Sequence, residues 1–185
     1  MQAIKKIGLK TKMLLPFALT GLAIILLGML NAVTVQHLLD DVESISSDYL
    51  PSISAILNAD RDLHQAYIAQ DSLLIAASNG EPVAEYLDTF SENADQALNR
   101  MNDARDNMAG TGISERLSGF REAFDDWRSS AEAVNEMAAN GNPAQARQRM
   151  KNETVPRFDA LRAFYNKAGE FTDQEAIATA SYAAE

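Results

Sequence analysis

Apolar residues recur every three or four positions over most of this chain, and short clusters of Gly, Asn and Pro interrupt the pattern. Such a period is typical of helices that bury one face, and the interruptions mark where helices end and begin. Interruptions at 79–82, 109–112 and 140–143 predict four helices after residue 35, over 36–78, 82–109, 113–140 and 143–185. Because loops of about four residues join antiparallel neighbours, the helices should form an up-down-up-down bundle.

The seam of the predicted bundle is clearest in its third helix. Its apolar positions are separated by alternating steps of four and three: Ile113, Leu117, Phe120, Phe124, Trp127, Ala131, Val134 and Ala138. Side chains at this spacing interdigitate between helices whose axes run nearly parallel. We therefore expect these residues, including the aromatic ones, to form the core rather than to hold a cofactor.

The segment before the bundle carries no charge over 23 residues, from 13 to 35. As a helix rising about 1.5 Å per residue it reaches roughly 34 Å, enough to cross a hydrocarbon core of about 30 Å. A cleaved signal peptide is the alternative, but its apolar region would be shorter and would end at a small-x-small site. The sequence predicts an all-α protein: one transmembrane helix, 13–35, that continues into an antiparallel four-helix bundle, 36–185.

Charge is distributed unevenly about the apolar segment. Four lysines give residues 1–12 a charge of +4 without an acidic residue, so the remaining residues carry −14 and the whole chain −10. Because positive residues stay on the cytoplasmic side, we expect a single-pass protein of the bacterial inner membrane. Residues 1–12 would be cytoplasmic and 36–185 periplasmic. The acidic balance argues against a nucleic-acid partner, since phosphate binding needs a basic surface.

Candidate catalytic chemistry is missing from the sequence. There is no cysteine, and the two histidines, His37 and His64, stand apart, so a thiolate or multi-histidine metal site cannot be assembled. No Gly-rich phosphate loop and no nucleophile elbow occurs. We therefore expect no enzyme activity, no catalytic residue, no metal site and no cofactor.

Three segments carry a resemblance to a known family. The opening IKKIGLKTKMLLPFALTGLAIILLGML, residues 4–30, combines a basic stretch, a K-T-K step and an apolar helix. The segment DYLPSISAILNADRDLHQAYIAQDSLL, residues 48–74, contains a Leu-Pro step, and another Pro follows Thr154 and Val155. With these features the chain resembles the N-terminal region of bacterial methyl-accepting chemotaxis proteins that have a four-helix-bundle ligand-binding domain.

The resemblance implies a homodimeric receptor that captures a small polar solute, an organic or amino acid, near the membrane-distal part of its dimer interface. It also implies a small piston-like shift of the last helix. Because no second spanning helix and no output domain follow, we expect a fragment of a longer receptor or a truncated product. Two alternatives remain open: the sensor of a histidine kinase or diguanylate cyclase, and a helical interaction module without a small ligand.

Polar and aromatic residues on the first helix suggest where a ligand binds. Beside the seam, where a plain bundle would prefer leucine, stand Asp60, His64, Tyr67 and Asp71, and Gln70 falls on the seam itself. Arginine holds a carboxylate with a planar fork, and Arg61 and Arg157 have similar heights in antiparallel helices. The predicted ligand-binding residues are Arg61, His64, Tyr67, Gln70, Thr154 and Arg157. The alternative is a solvated face on which Arg61 pairs with Asp62 or Asp159.

Overall fold

A computed structural model describes residues 8–182, and the protein in this range is all-α. Its α-helices are α1 (Leu9–Ser44), α2 (Leu50–Asn79), α3 (Ala84–Asn107), α4 (Ile113–Arg116), α5 (Phe120–Ala139), α6 (Pro143–Arg149) and α7 (Val155–Tyr182). Two π-helical turns, Ile45–Tyr49 and Met150–Thr154, join α1 to α2 and α6 to α7. The four columns α1–α2, α3, α4–α5 and α6–α7 are consistent with the predicted four-helix bundle.

The first column is long enough to cross a membrane and still enter the bundle. Helical structure continues over Lys10–Asn79, and this 70-residue helix is the one within residues 8–182 that is long and apolar enough to span a bilayer. The large apolar side chains between residues 13 and 35 are all exposed. A continuous apolar surface of this length suits a helix surrounded by lipid.

Each π-helical turn is followed, after one residue, by a proline. Leu50 N–H donates to Ile45 O and Val155 N–H donates to Met150 O, which closes a wider ring than an α-helical bond does. Pro51 and Pro156 come next, and neither can donate a backbone hydrogen bond. Widening the turn before a proline relieves the clash between its ring and the preceding carbonyl. Both long columns therefore continue through a residue that would otherwise kink them.

The third column differs from the predicted continuous helix over 113–140. It ends as α4 at Arg116 and resumes as α5 at Phe120, because Gly119 adopts a left-handed conformation with φ 85°. Phe120 N–H donates to Leu117 O across the break, 3.0 Å apart. The break keeps the seam in register, since Leu117 and Phe120 are both buried. For this reason the apolar pattern alone did not reveal it.

The core of the bundle lies along the predicted seams. All eight seam residues named for the third helix are buried, as are Leu63 and Leu73 on α2, Phe90 and Met101 on α3, and Leu161 on α7. Aromatic rings from α3, α5 and α7 form one layer, in which Trp127 contacts Phe90, Phe124 and Phe158. Tight packing of this layer fixes the relative heights of the columns, and thereby of the polar residues on their outer faces.

Two glycines test this account of the third and fourth columns. Gly119→Ala should lower the free energy of unfolding by about 1–2 kcal/mol, because a side chain is strained at its positive φ. Gly169→Ala should raise it by about 0.5–1 kcal/mol, since Gly169 lies inside α7 and an added Cβ would meet Ile56 Cγ2 at an ordinary 3.9 Å. Urea denaturation of the full chain in detergent micelles measures both. A Gly119→Ala variant as stable as the wild type, or more stable, would contradict the break at Gly119.

Candidate functional site

One face of α2 leaves large apolar side chains uncovered. Leu50, Leu57, Ile68 and Ile75 are 56%, 67%, 61% and 49% exposed, and the Arg61 side chain is 53% exposed. We call these five residues the exposed stripe. Leu50 and Leu57 are seven positions apart, as are Arg61, Ile68 and Ile75, which is the spacing of helices that pack side by side. The stripe thus has the pattern of a packing surface without a packed neighbour in the protomer.

Arg61 belongs to a cluster of three charges at the edge between α2 and α3. Its Nη2 lies 2.7 Å from Asp62 Oδ1, and Arg100 Nε lies 2.7 Å from Asp62 Oδ2. The Asp62 side chain is completely buried, whereas both arginines are partly exposed. We call this cluster the Arg61–Asp62–Arg100 triad; its net charge is +1. The pairing of Arg61 with Asp62 corresponds to the alternative raised from the sequence, and Arg100 was not predicted.

His64 and Tyr67 lie together on the side of α2 that faces α7. His64 Nδ1 is 2.8 Å from Asp60 O, and its ring meets Phe158 edge-on at 5.4 Å between centroids. Tyr67 packs on the same Phe158 ring at 4.8 Å. Partial burial raises the pKa of the Tyr67 phenol, with further contributions from the charges of Asp71 and Asp159. The phenol is therefore a neutral donor at physiological pH.

Gln70 and Thr154 lie inside the protomer, which differs from the predicted ligand contacts. Gln70 is fully buried, and its Nε2 donates to Ala131 O at 2.9 Å and to Asn135 Oδ1 at 3.0 Å. Thr154 is also fully buried, with its hydroxyl 2.8 Å from that of Ser130. These bonds join α5 to α2 and to the second π-helical turn, whereas Gln70 Oε1 has no hydrogen-bond partner within residues 8–182. A ligand on the outer face does not reach them in this conformation.

Arg61 and Arg157 do not converge within one protomer. Arg157 Nη1 donates to Glu153 O on its own column at 2.9 Å, while Arg61 faces the α3 side of α2. The arginine of α7 that does reach α2 is Arg162, whose Nε lies 3.3 Å from Asp60 Oδ1. The height comparison used for Arg157 would have found it, since Arg162 is 19 positions after residue 143 and Asp60 is 18 before residue 78.

Within residues 8–182, two aromatic polar groups of the core have no hydrogen-bond partner. They are Trp127 Nε1 and the Tyr165 hydroxyl, and both side chains are almost completely buried. Burial strongly raises the pKa of Tyr165, and the charges of Asp60 and Asp62 add to the effect. The phenol thus stays protonated beside the triad. Among residues 8–182, no group of three or more His, Asp or Glu side chains is placed to hold a metal ion.

Comparison with protein families gives one match that covers nearly the whole chain. A family model described as a four helix bundle sensory module for signal transduction matches residues 6–183. No curated protein and no solved structure matched the chain.

Proposed function

Since this chain belongs to the family of four-helix-bundle sensory modules for signal transduction, we propose that it is the ligand-sensing part of a bacterial chemoreceptor. The family is a sensory module and not an enzyme domain. The ligand proposed is a small polar solute that carries a carboxylate. The observation that carries this proposal is Arg61, a partly exposed guanidinium in the middle of an otherwise apolar stripe.

The proposed location is the bacterial inner membrane, with residues 1–12 in the cytoplasm and the bundle in the periplasm. In support, the exposed apolar part of α1 follows a segment of four lysines and precedes a strongly acidic region. A signal from the bundle would then return to the membrane along α7, which contacts α2, the first π-helical turn and α1. A small displacement of α7 is the proposed output.

A second copy of the chain is the proposed partner of the exposed stripe. A two-fold interface along α2 would cover Leu57 and Ile68 and bring the two copies of Arg61 close together. Because each triad carries a net charge of +1, the two triads repel each other in the absence of an anion. A carboxylate between the two guanidinium groups would remove this repulsion and gain charge-assisted hydrogen bonds. Ligand binding and dimer contact are thereby linked, and His64 and Tyr67 would flank the ligand on the α7 side.

A thermal-shift screen of the full chain in micelles against organic acids and amino acids tests the proposal. A carboxylate at one hundred times its dissociation constant should stabilise the protein by about 2.7 kcal/mol. Arg61→Gln should abolish the shift, because glutamine cannot form the bidentate bonds. Arg121→Gln is the matched control, since Arg121 is exposed on α5 and pairs with the exposed Asp125 one turn along the same helix.

Each other outcome of the screen has a defined meaning. If no acid stabilises the protein, the chain is a helical interaction module rather than a solute sensor. If an acid binds and Arg61→Gln leaves the shift unchanged, the sensory function stands and the site is elsewhere. Whether the output is that of a chemoreceptor, a histidine kinase or a diguanylate cyclase is decided separately, by complementation of strains that lack each output.

A further inference from the structure

A groove between α2 and α3 borders the exposed stripe, and Ile68 of the stripe lines it. Its volume is about 400 Å³. It is lined by Gln65, Ile68 and Ser72 of α2 and by Glu85, Thr89 and Asn93 of α3. We call it the α2–α3 groove. Volumes of this size lie within the range of small-molecule sites. The groove is distinct from the triad, since Arg61 is not among its lining residues.

Two polar side chains of α3 in the groove, Thr89 and Asn93, each donate a hydrogen bond to a backbone carbonyl of their own helix. Thr89 Oγ1 donates to Glu85 O at 2.8 Å, and Asn93 Nδ2 donates to Thr89 O at 2.8 Å. The amide orientation of Asn93 follows from this second bond, because a carbonyl oxygen can only accept. Asn93 Oδ1 and the lone pairs of Thr89 Oγ1 therefore remain available to a ligand. A molecule that uses them must bring its own donors.

The only formal charge on the groove wall is negative. Glu85 forms no ion pair with the residues that the structure describes, and no Lys or Arg lines the groove. A single carboxylate is a poor site for a calcium ion, which takes six to eight oxygen ligands and usually several carboxylates. One carboxylate with neutral oxygen acceptors instead suits an ammonium group, which donates up to three hydrogen bonds. The acidic bundle also raises the local concentration of cations.

The other walls of the groove are apolar. Ile68 is 61% exposed, Ala69 forms part of the floor, and the half-buried Tyr86 offers a ring. From this arrangement we infer that the α2–α3 groove binds a small organic ammonium ion whose apolar body packs against Ile68 and Tyr86. The ammonium group is held by the Glu85 carboxylate and Thr89 Oγ1, which lie one helical turn apart on α3. This second site takes the opposite charge from the Arg61 site; it shares Ile68 with the exposed stripe and would therefore lie at the edge of the proposed dimer interface.

Calorimetric titration of the full chain in micelles with phenethylammonium chloride tests the inference. Phenethylammonium should bind at least about tenfold more tightly than 2-phenylethanol, which has the same apolar body without the charge. Glu85→Gln should weaken phenethylammonium binding by about tenfold or more. Asp88→Asn is the matched control, because it removes the same charge from α3 outside the groove and should leave binding unchanged. Ser72→Leu fills the groove and should abolish binding, while the helical circular dichroism signal reports that the variant is folded.

Three results would overturn the inference. The first is no detectable binding of phenethylammonium at 10 mM, roughly the weakest affinity of a specific site. The others are that 2-phenylethanol binds as tightly as phenethylammonium, or that Asp88→Asn weakens binding as much as Glu85→Gln. Arg61→Gln separates this inference from the carboxylate site. It should leave phenethylammonium binding intact whether or not any acid binds to the wild-type chain.

Discussion

Trp127→Ala should lower the free energy of unfolding by about 3–5 kcal/mol, the largest loss expected from any single substitution in this chain. Trp127 is completely buried, and its ring lies 5.8 Å from that of Phe90, 5.6 Å from Phe124 and 6.3 Å from Phe158. Truncation leaves a cavity that α3, α5 and α7 all border, and three packed columns cannot collapse to fill it. Urea denaturation followed by circular dichroism measures the loss, because the variant has no tryptophan fluorescence.

Trp127→Phe is the matched control for this prediction. Trp127 Nε1 has no hydrogen-bond partner in the part of the chain that the structure describes, so phenylalanine removes volume without breaking a bond. The expected cost is about 1–2 kcal/mol, well below that of alanine. If phenylalanine were as costly as alanine, the indole nitrogen would have an essential partner. If alanine cost less than about 1 kcal/mol, the aromatic layer would not be packed as described.

The sequence predicted the seams of the bundle because burial and helical period leave the same signal in the chain. The alternating steps of four and three in the third column mark residues that are all buried in the structure. The break at Leu117–Gly119 left no such signal. A glycine between two seam residues can end one helix and begin the next while both seam residues still face the core, so the apolar pattern is unchanged.

The candidate site was less predictable, and the reason lies in the second π-helical turn. A π-helical turn inserts one residue into a column, so every later side chain is rotated by about 100° relative to a uniform α-helix. Arg157 follows the turn at Met150–Thr154, so its position around the column differs from that in a uniform α-helix. A comparison of heights does not reveal the rotation, since one inserted residue changes the height by only about 1.5 Å. Judged only by height along the bundle axis, Arg162 was as good a candidate as Arg157.

Polar residues on a seam were the other reason why the predicted site differs from the structure. Gln70 occupies a seam position, and a helical wheel shows only that it faces inward. Whether an inward amide binds a ligand or a neighbouring backbone depends on what stands opposite. Here Asn135 and the carbonyl of Ala131 on α5 satisfy its Nε2. Which residues of α5 lie opposite Gln70 depends on the tertiary structure and cannot be read from the sequence of α2 alone.

Simultaneous replacement of Arg61 and Arg100 by alanine should lower the free energy of unfolding by about 3 kcal/mol. The change leaves the completely buried Asp62 carboxylate without either cation, and an uncompensated buried charge is strongly destabilising. We expect the lower end of the usual 3–5 kcal/mol, because both arginines are partly exposed and their removal admits water. Each single variant should cost less than half as much, since the remaining arginine still pairs with Asp62.

Adding Asp62→Asn to the double variant should restore more than half of the lost stability, because it removes the unpaired charge. The matched control replaces Arg121 and Arg128, whose partners are exposed carboxylates, and should cost under about 1 kcal/mol per pair. If the triple variant were no more stable than the double, Asp62 would not be an ionised group held by the two arginines. In that case Arg61 would not be needed to stabilise Asp62, and replacing Arg61 would not disturb the fold through Asp62. The same measurement therefore decides whether loss of ligand binding in Arg61→Gln reports on the ligand or on the fold.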